Sequence, residues 1–180
     1  MRGSAAFTII EVLVVLAIIL VLAGLVLATS SYVYNKGARS RAEAEIAAIS
    51  AALENYQADH GIYPVDNSVN ARTMGDPTQT AYKSASLTLY KALSGDNDLN
   101  RQSDPGSTSY MMFKPNQLSP ADQSAQVGYL KDPFGNSYGY STIYQTDSNK
   151  GYNPTFDLWS TAGSVDQEST PASLAWIKNW

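Results

Sequence analysis

The feature that most constrains this chain is an apolar run from Phe7 to Leu27, which contains a single charged residue, Glu11. About 20 apolar residues can cross the hydrocarbon core of a bilayer as one helix, so the run predicts a transmembrane helix. An ionised carboxylate deep in lipid without a partner costs on the order of 2.5–3.5 kcal/mol. Glu11 therefore needs a neutralising cation, and we expect another copy of the same chain to supply it.

The run opens with FTIIEVL, residues 7–13, after a short leader that contains Arg2. This segment resembles the class III signal and stem of type IV pilins and type II secretion pseudopilins. The resemblance implies that a prepilin peptidase cuts between Ala6 and Phe7 and that Phe7 is then N-methylated. It also implies that Glu11 neutralises the terminal amine of a neighbouring subunit in a filament core. The chain has Ala6 where the family usually has Gly.

Two other interpretations of the segment stay open. One is an uncleaved signal anchor with Glu11 near the lipid headgroups. The other is a secretory signal peptide, although its apolar core spans about 7–15 residues and the run here is longer. The cations Lys36, Arg39 and Arg41 follow the run, and the positive-inside rule would place the following domain in the cytoplasm. The pilin-like motif implies the opposite orientation, with that domain in the periplasm.

The helix is predicted to continue beyond the run to about Asp59. Apolar residues recur at steps of four, three, four and three, which places them on one helix face; they are Ala42, Ile46, Ile49, Leu53 and Tyr56. Gly61 and Pro64 are typical of the end of a helix. Since a domain of this size cannot bury the whole helix, its first half must lie in lipid or against other subunits.

The remaining chain predicts a small α+β domain. A second helix is expected over 81–93 after a loop over 63–80, and strands are expected at 138–144 and 155–161, where aromatic and β-branched residues are frequent. The stem half of the long helix would pack on an antiparallel sheet. The predicted parts are a leader (1–6), a transmembrane and filament-core helix (7–28), an amphipathic stem (29–60) and a periplasmic globular domain (61–180).

Composition excludes several classes of function. The net charge is −4 over 180 residues, and nucleic-acid binding needs clustered Lys and Arg. There are no cysteines, which removes disulfides, thiolate catalysis and Cys-ligated zinc. The single histidine, His60, lies at a predicted helix end, where a capping or surface role is expected. No nucleophile and base stand out from solvated loop residues, so we expect no enzyme activity.

Five further segments resemble the major pseudopilins of type II secretion in the same order along the chain. They are AALENYQADHGIYP (51–64), LYKALSGD (89–96), YLKDPFGNSYGY (129–140), FDLWSTAG (156–163) and IKNW (177–180). Taken alone, DPFGN is also a common turn sequence. The lack of cysteine agrees with this branch, because many type IV pilins close their C-terminal region with a disulfide.

The resemblance also implies a calcium site in the C-terminal loop, for which the candidate ligands are Asp166 and Glu168. Hard cations prefer six to eight oxygen ligands. Ala175 and Trp176 stand where the family has an acidic pair. We therefore expect Asp166 and Glu168 to be solvated loop acids and the chain to have no cofactor.

Three functional hypotheses follow. In the first, the chain is a structural subunit of a type II secretion pseudopilus in the inner membrane. Its partners would be copies of itself, the prepilin peptidase, minor pseudopilins and the inner-membrane assembly platform. In the second, it is a type IV pilin or minor pilin for adhesion, motility or DNA uptake. In the third, it is a monomeric membrane-anchored binding domain or enzyme in the periplasm.

Overall fold

The computed structural model of the protein describes residues 8–73, 75–164 and 176–180, with the side chains at 26–31 excepted. The chain divides into two compact units, Met1–Ala38 and Arg39–Trp180. The helices are α1 (Ile9–His60) and α2 (Thr80–Ser94). The strands are β1 (Leu118–Ser119), β2 (Tyr129–Leu130), β3 (Gly139–Ser141), β4 (Asp157–Ser160) and β5 (Ile177–Lys178). The predicted α+β class is confirmed.

The first unit holds the N-terminal part of α1. None of the helices, over the residues described, is both long and apolar enough to qualify as a membrane span. The transmembrane segment expected over 7–28 stays a prediction.

In the second unit, the predicted stem stripe of α1 is confirmed. Ala42, Ile49 and Leu53 are fully buried, and Tyr56 is half-buried at the end of the stripe. The helix ends at His60, and Gly61 follows with φ = 77° and donates its N–H to the Gln57 carbonyl at 2.7 Å. A left-handed glycine after the last turn satisfies a carbonyl that would otherwise lack a partner.

Helix α2 extends one residue beyond its predicted bounds at each end. Its buried face contains the four residues expected from the sequence, Tyr82, Ala85, Leu89 and Leu93. Gly95 ends the helix in the left-handed conformation, with its N–H bonded to the Lys91 carbonyl. The sequence predicts that the stem of α1 covers the sheet. In the structure α2 contacts β2 and β3, and the α1 stripe belongs to the same hydrophobic core.

The main sheet has three antiparallel strands in the order β3–β4–β5. Gly139 pairs with Trp159 and Ser160 pairs with Ile177. A Cβ at Gly139 would overlap the Trp159 indole ring, so the sheet requires glycine at this position. Trp159 is fully buried, and its indole N–H donates to the Tyr82 hydroxyl at 3.0 Å. This bond joins the sheet to α2.

The strand predicted over 138–144 is too long. β3 ends at Ser141, and a short 3₁₀ turn, Ile143–Gln145, follows. The reason is a pairing with the first loop: Thr142 donates its N–H to the Asp66 carbonyl at 2.8 Å, and its hydroxyl accepts the Asp66 N–H at 3.0 Å. Local sequence gives no sign of this contact, because its partners lie 76 residues apart.

A second ladder was not expected from the sequence. β1 and β2 form a two-stranded antiparallel pair in which Leu118 lies opposite Leu130. Each strand has only two residues, which is too short to produce a period-two pattern. The Ser86 hydroxyl on α2 donates to the Leu130 carbonyl and accepts its N–H, at 3.0 and 2.8 Å. A helix side chain thus completes the hydrogen bonding of β2.

The turn predicted at DPFGN is confirmed, and Asp132 organises it. Its carboxylate accepts the N–H groups of Phe134 and Asn136 at 3.0 and 2.8 Å and the Ser160 hydroxyl at 2.5 Å. Gly135 has φ = 95°, and the predicted turn requires such a positive φ at this glycine. Asp132 is 2% exposed, and burial raises the pKa of its carboxyl against the opposing effect of these hydrogen bonds.

Candidate functional site: the N-terminal segment and two charged surfaces

The N-terminal part of α1 exposes nearly every large apolar side chain. Exposed fractions between Ile9 and Leu25 run from 48% at Val12 to 83% at Ile9. These residues surround the helix on all sides, whereas a helix that packs on its own domain has one apolar stripe. These exposed side chains do not form a core among the described residues of the first unit, and their chemistry suits lipid or the helices of other chains.

Glu11 lies in the first turn of α1. Its N–H donates to the Thr8 carbonyl at 3.1 Å and lies 3.3 Å from the Thr8 hydroxyl oxygen. Thr8 thus caps the helix, and Thr-x-x-Glu is the spacing of a capping box. This capping role is not among those expected for the segment from its sequence. A carboxylate in the first turn also interacts favourably with the helix dipole.

The Glu11 carboxylate forms no ion pair with any cation among the described residues. Glu11 is also exposed. The predicted partner, a terminal amine of a neighbouring subunit, belongs to another chain. The cleavage residues Ala6 and Phe7 lie outside the described residues, so their processing stays a prediction.

The calcium candidates Asp166 and Glu168 also lie outside the described residues, as does Ala175. Trp176 is described and is 7% exposed. Its ring stacks on Trp159 with centroids 5.9 Å apart. At this position the chain has a core aromatic residue rather than a ligand oxygen.

His60 lies where the sequence predicts, at the last turn of α1. Its Nδ1 is 3.0 Å from the Tyr56 carbonyl oxygen, and its ring stacks on Tyr56 with centroids 4.0 Å apart. Tyr110 packs edge-on against both rings and donates its hydroxyl to Asp59 at 2.9 Å. Contact with a last-turn carbonyl is typical of a C-terminal helix cap.

The segment from Asp96 to Asp104, here called the acidic loop, was predicted from the sequence to be a loop without a functional role. It is the one place in the described parts of the chain where three metal-ligating side chains converge: Asp96, Asp98 and Asp104 offer oxygens within 4.8 Å of one another. The D-x-D-x-N spacing over 96–100 is the signal that would have drawn attention to it. Carboxylates grouped in this way could hold a hard cation.

The acidic loop also uses its carboxylates internally. Asp96 is fully buried and accepts the Tyr90 hydroxyl at 2.6 Å and the Arg101 N–H at 2.7 Å. Asp104 accepts the Asn97 N–H at 3.1 Å. Asp98 is exposed. Burial, together with the hydrogen bond to Asp96 and the charge of that residue, raises the pKa of Tyr90.

A second surface, here called the cation–aromatic platform, consists of Arg72, Tyr152, Lys178 and Trp180. The Arg72 guanidinium lies over the Tyr152 ring at 4.4 Å, and Trp180 stacks on Tyr152 with centroids 4.8 Å apart. Arg72 and Trp180 therefore both contact the Tyr152 ring. The Lys178 ammonium lies 5.1 Å from the Trp180 centroid and 5.9 Å from that of Tyr152.

Asp157 holds the backbone of the segment that carries Tyr152. It is 1% exposed, and its carboxylate accepts the N–H groups of Tyr152 and Asn153 at 2.9 and 2.8 Å. Burial raises the pKa of Asp157, while these bonds and the charge of Arg72 oppose the rise. Arg72 donates its Nε–H to the Gly151 carbonyl at 2.9 Å. The stack is therefore attached to the loop before β4.

A family model described as the prokaryotic N-terminal methylation motif matches residues 1–27. The motif is that of prepilins with a class III signal, and it is consistent with a type IV pilin-like protein. No curated protein and no solved structure matches the chain. The match ends before the segments that resemble secretion pseudopilins.

Proposed function

We propose that this chain, which carries a prepilin-type N-terminal motif, is a structural subunit of a type II secretion pseudopilus. It is made as a prepilin in the inner membrane, with its C-terminal domain in the periplasm. The prepilin peptidase cuts between Ala6 and Phe7, and Phe7 is N-methylated. The processed chains then polymerise, with the assembly platform and minor pseudopilins, into a filament that drives protein export across the outer membrane.

The observation that carries the proposal is the coincidence of the methylation motif with an exposed apolar helix. The motif covers residues 1–27, and the large side chains between Ile9 and Leu25 are exposed. A filament core would bury them against the same segment of other copies. Because lipid is as apolar as the neighbouring helices, moving a helix from lipid into the filament core gains little hydrophobic free energy. Side-chain packing between helices must therefore drive their association.

Glu11 would set the register of that packing. In a filament core its carboxylate would meet the N-terminal amine of a neighbouring Phe7. Removing one partner of a buried ion pair typically costs about 3–5 kcal/mol, because the other charge is left unpaired. A substitution of Glu11 is therefore expected to impair assembly.

The choice of secretion system rests on the remaining resemblance and on composition. The DPFGN and IKNW segments, which resemble those of major secretion pseudopilins, and the absence of cysteine support a secretion pseudopilin over a pilus subunit. The test is loss of the gene in its native host. Failure to export proteins through the outer membrane supports the proposal, whereas normal export with loss of surface filaments would assign the chain to a type IV pilus.

Processing is tested by the intact mass and N-terminal sequence of the protein from native membranes. The proposal requires a chain that starts at N-methylated Phe7. A chain that still starts at Met1 or Arg2, in cells with an active prepilin peptidase, would contradict the proposal and favour a membrane-anchored monomer.

The role of Glu11 is tested by Glu11→Gln, which removes the charge and keeps the size of the side chain. We expect normal membrane insertion and cleavage with strongly reduced filament yield, measured by shearing and immunoblotting. Thr8→Ala is the matched control, because it removes the helix cap and leaves the charge. Equal loss of filaments in both variants would mean that Glu11 acts through the helix end alone.

A further inference from the structure

Two tyrosines and a lysine follow the exposed apolar part of α1, and they are here called the tyrosine collar. Tyr32 and Tyr34 are 71% and 61% exposed. Lys36 is exposed and forms no ion pair with an acid among the described residues. Three hydroxyl residues, 29–31, come just before the collar in the sequence. Polarity therefore increases in order along the helix, from apolar through hydroxyl and aromatic residues to a charge.

The tyrosine collar has side chains on opposite sides of the helix. Tyr32 and Lys36 are four residues apart and share one face. Tyr34 lies about 200° around the axis from Tyr32, because each residue turns the helix by ~100°. A groove on a protein partner would cover only one face. Aromatic rings on opposite sides suit a planar boundary that the helix crosses, and tyrosine is enriched where lipid meets water.

The spacing between Glu11 and the collar matches the thickness of a bilayer. No Asp, Glu, Lys or Arg occurs between Glu11 and Lys36, and both residues belong to the single helix α1. At ~1.5 Å per residue, Glu11 and Tyr32 lie about 32 Å apart along the helix axis. The hydrocarbon core of a bilayer is about 30 Å thick. A helix that crosses it can therefore place Glu11 at one surface and Tyr32 at the other.

We propose that, before assembly, the two lipid–water boundaries of the membrane cross α1 at Glu11 and at the tyrosine collar. The partner of the collar is the headgroup layer of the bilayer. The ammonium of Lys36 reaches the lipid phosphates while its aliphatic stem stays beside apolar surface. The inference rests on the proposed function, in which the unassembled chain is a membrane protein, and it adds the depth at which the chain sits.

This placement changes the role of Glu11 in the unassembled chain. The high cost of a charge in lipid applies at the centre of the hydrocarbon core, whereas Glu11 at the boundary stays in contact with headgroups and water. It then needs no partner in the membrane. The filament core is the first environment that buries the carboxylate, so the register that Glu11 sets is established during assembly.

The test is the depth of single probes in the bilayer, which is unambiguous because the natural chain has no cysteine. Val12→Cys, Val21→Cys and Val33→Cys are made separately in the full-length chain; these side chains are 48%, 64% and 65% exposed. Each is labelled with a fluorescent maleimide in vesicles of phosphatidylethanolamine and phosphatidylglycerol, and spin-labelled lipids report its depth. We expect the probes at 12 and 33 about 15 Å from the bilayer centre and the probe at 21 near the centre.

The contribution of the tyrosines is tested by Tyr32→Leu/Tyr34→Leu, which extends the apolar run. The probe at 33 should then move towards the bilayer centre by roughly one helical turn, about 5 Å. Tyr32→Trp/Tyr34→Trp is the matched control and should keep the original depth, because tryptophan shares the preference for the lipid–water boundary. Circular dichroism checks that α1 stays helical in each variant.

Two results would overturn the inference and leave the proposed function standing. One is a probe at 12 or 33 that lies as deep as the probe at 21. The other is a leucine variant whose probe keeps its depth, or a tryptophan variant whose probe shifts equally. Probes at all three positions that iodide in the water quenches, and that spin-labelled lipids do not, would instead place the chain outside the membrane and contradict the proposed function.

Discussion

The N-terminal part of α1 and helix α2 are both rich in apolar side chains, and the two helices use them in opposite ways. In α2 the apolar residues form one stripe, and Tyr82, Ala85, Leu89 and Leu93 are completely buried. Between Ile9 and Leu25 the apolar residues surround the helix and stay exposed. The arrangement of apolar residues, more than their number, indicates whether a helix finds its partner in its own chain or outside it.

The sharpest way to test this comparison is a matched pair of leucine truncations, Leu53→Ala and Leu16→Ala. Leu53 is fully buried and Leu16 is 50% exposed. We expect Leu53→Ala to lower the free energy of unfolding by about 2–5 kcal/mol, because it leaves a cavity, and Leu16→Ala to change it by less than about 0.5 kcal/mol. The measurement is denaturant unfolding of the full chain in detergent, followed by fluorescence of the tryptophans. Equal effects would contradict the division into a self-packed and an unpacked region.

A glycine pair gives the next largest effect. Gly139→Ala places a Cβ in the Trp159 indole ring, whereas a Cβ at Gly37 meets nothing within 4 Å. Overpacking typically costs about 1–3 kcal/mol, and Gly→Ala in an exposed helix gains roughly 0.5–1 kcal/mol. Gly139→Ala should therefore lower the unfolding midpoint, and Gly37→Ala should leave it unchanged or raise it. A neutral Gly139→Ala would mean that the sheet can shift away from Trp159.

A pH titration of stability tests the buried turn. Burial raises the pKa of Asp132, so its contribution to stability is fully present below the ordinary value of about 3.9 and is lost as pH rises through the higher folded pKa. We expect Asp132→Asn to flatten the fall of the unfolding free energy above about pH 4, because the amide stays neutral and its oxygen can still accept the two turn N–H groups.

Asp122 provides the control of opposite sign for that titration. Hydrogen bonds from Ser124 lower the pKa of this exposed carboxyl. Its contribution is therefore present at neutral pH and is lost as pH falls through a folded pKa below the ordinary value of about 3.9. Asp122→Asn should leave the profile above pH 4 unchanged. A profile above pH 4 that is the same in the wild type and in Asp132→Asn would show that Asp132 is not the group responsible.

The smallest expected effect is at the end of α1, where Tyr110 donates to Asp59. Tyr110→Phe removes that hydrogen bond and keeps the edge contacts with Tyr56 and His60. Because Asp59 is exposed and can bind water instead, the loss should be no more than about 0.5–1 kcal/mol. A larger loss, measured in the same unfolding assay, would assign the Tyr110 hydroxyl a role in holding the loop on α1.

Local patterns predicted much of the fold. The steps between Ala42 and Leu53 marked the buried face of α1, and Gly61 and Gly95 marked helix ends within one or two residues. These signals are local because helix periodicity and left-handed glycine caps depend on neighbouring residues. Strand bounds were less accurate: Thr142 leaves the sheet because it pairs with Asp66, and β1 and β2 are too short to produce a pattern.

The candidate surfaces were harder to predict than the N-terminal motif. Glu11 stands out because a lone acid in an apolar run is visible in the sequence. The three carboxylates of the acidic loop lie close enough in sequence to have been noticed. The platform brings together Arg72, Tyr152 and Lys178, which lie far apart along the chain, and only β4 and β5 place them side by side.

The sequence by itself determined that the chain has an apolar N-terminal segment with one acid, a stem with a single buried stripe and no cysteine chemistry. Periodicity, charge and residue type act over a few residues, so they can be read directly. Tertiary structure alone decided that α2 contacts β2 and β3, that Asp132 is buried beneath its turn and that two cations share one aromatic stack. Those features depend on contacts between residues that are distant in sequence. The contacts contribute stabilising free energy only when the packed core brings those residues together.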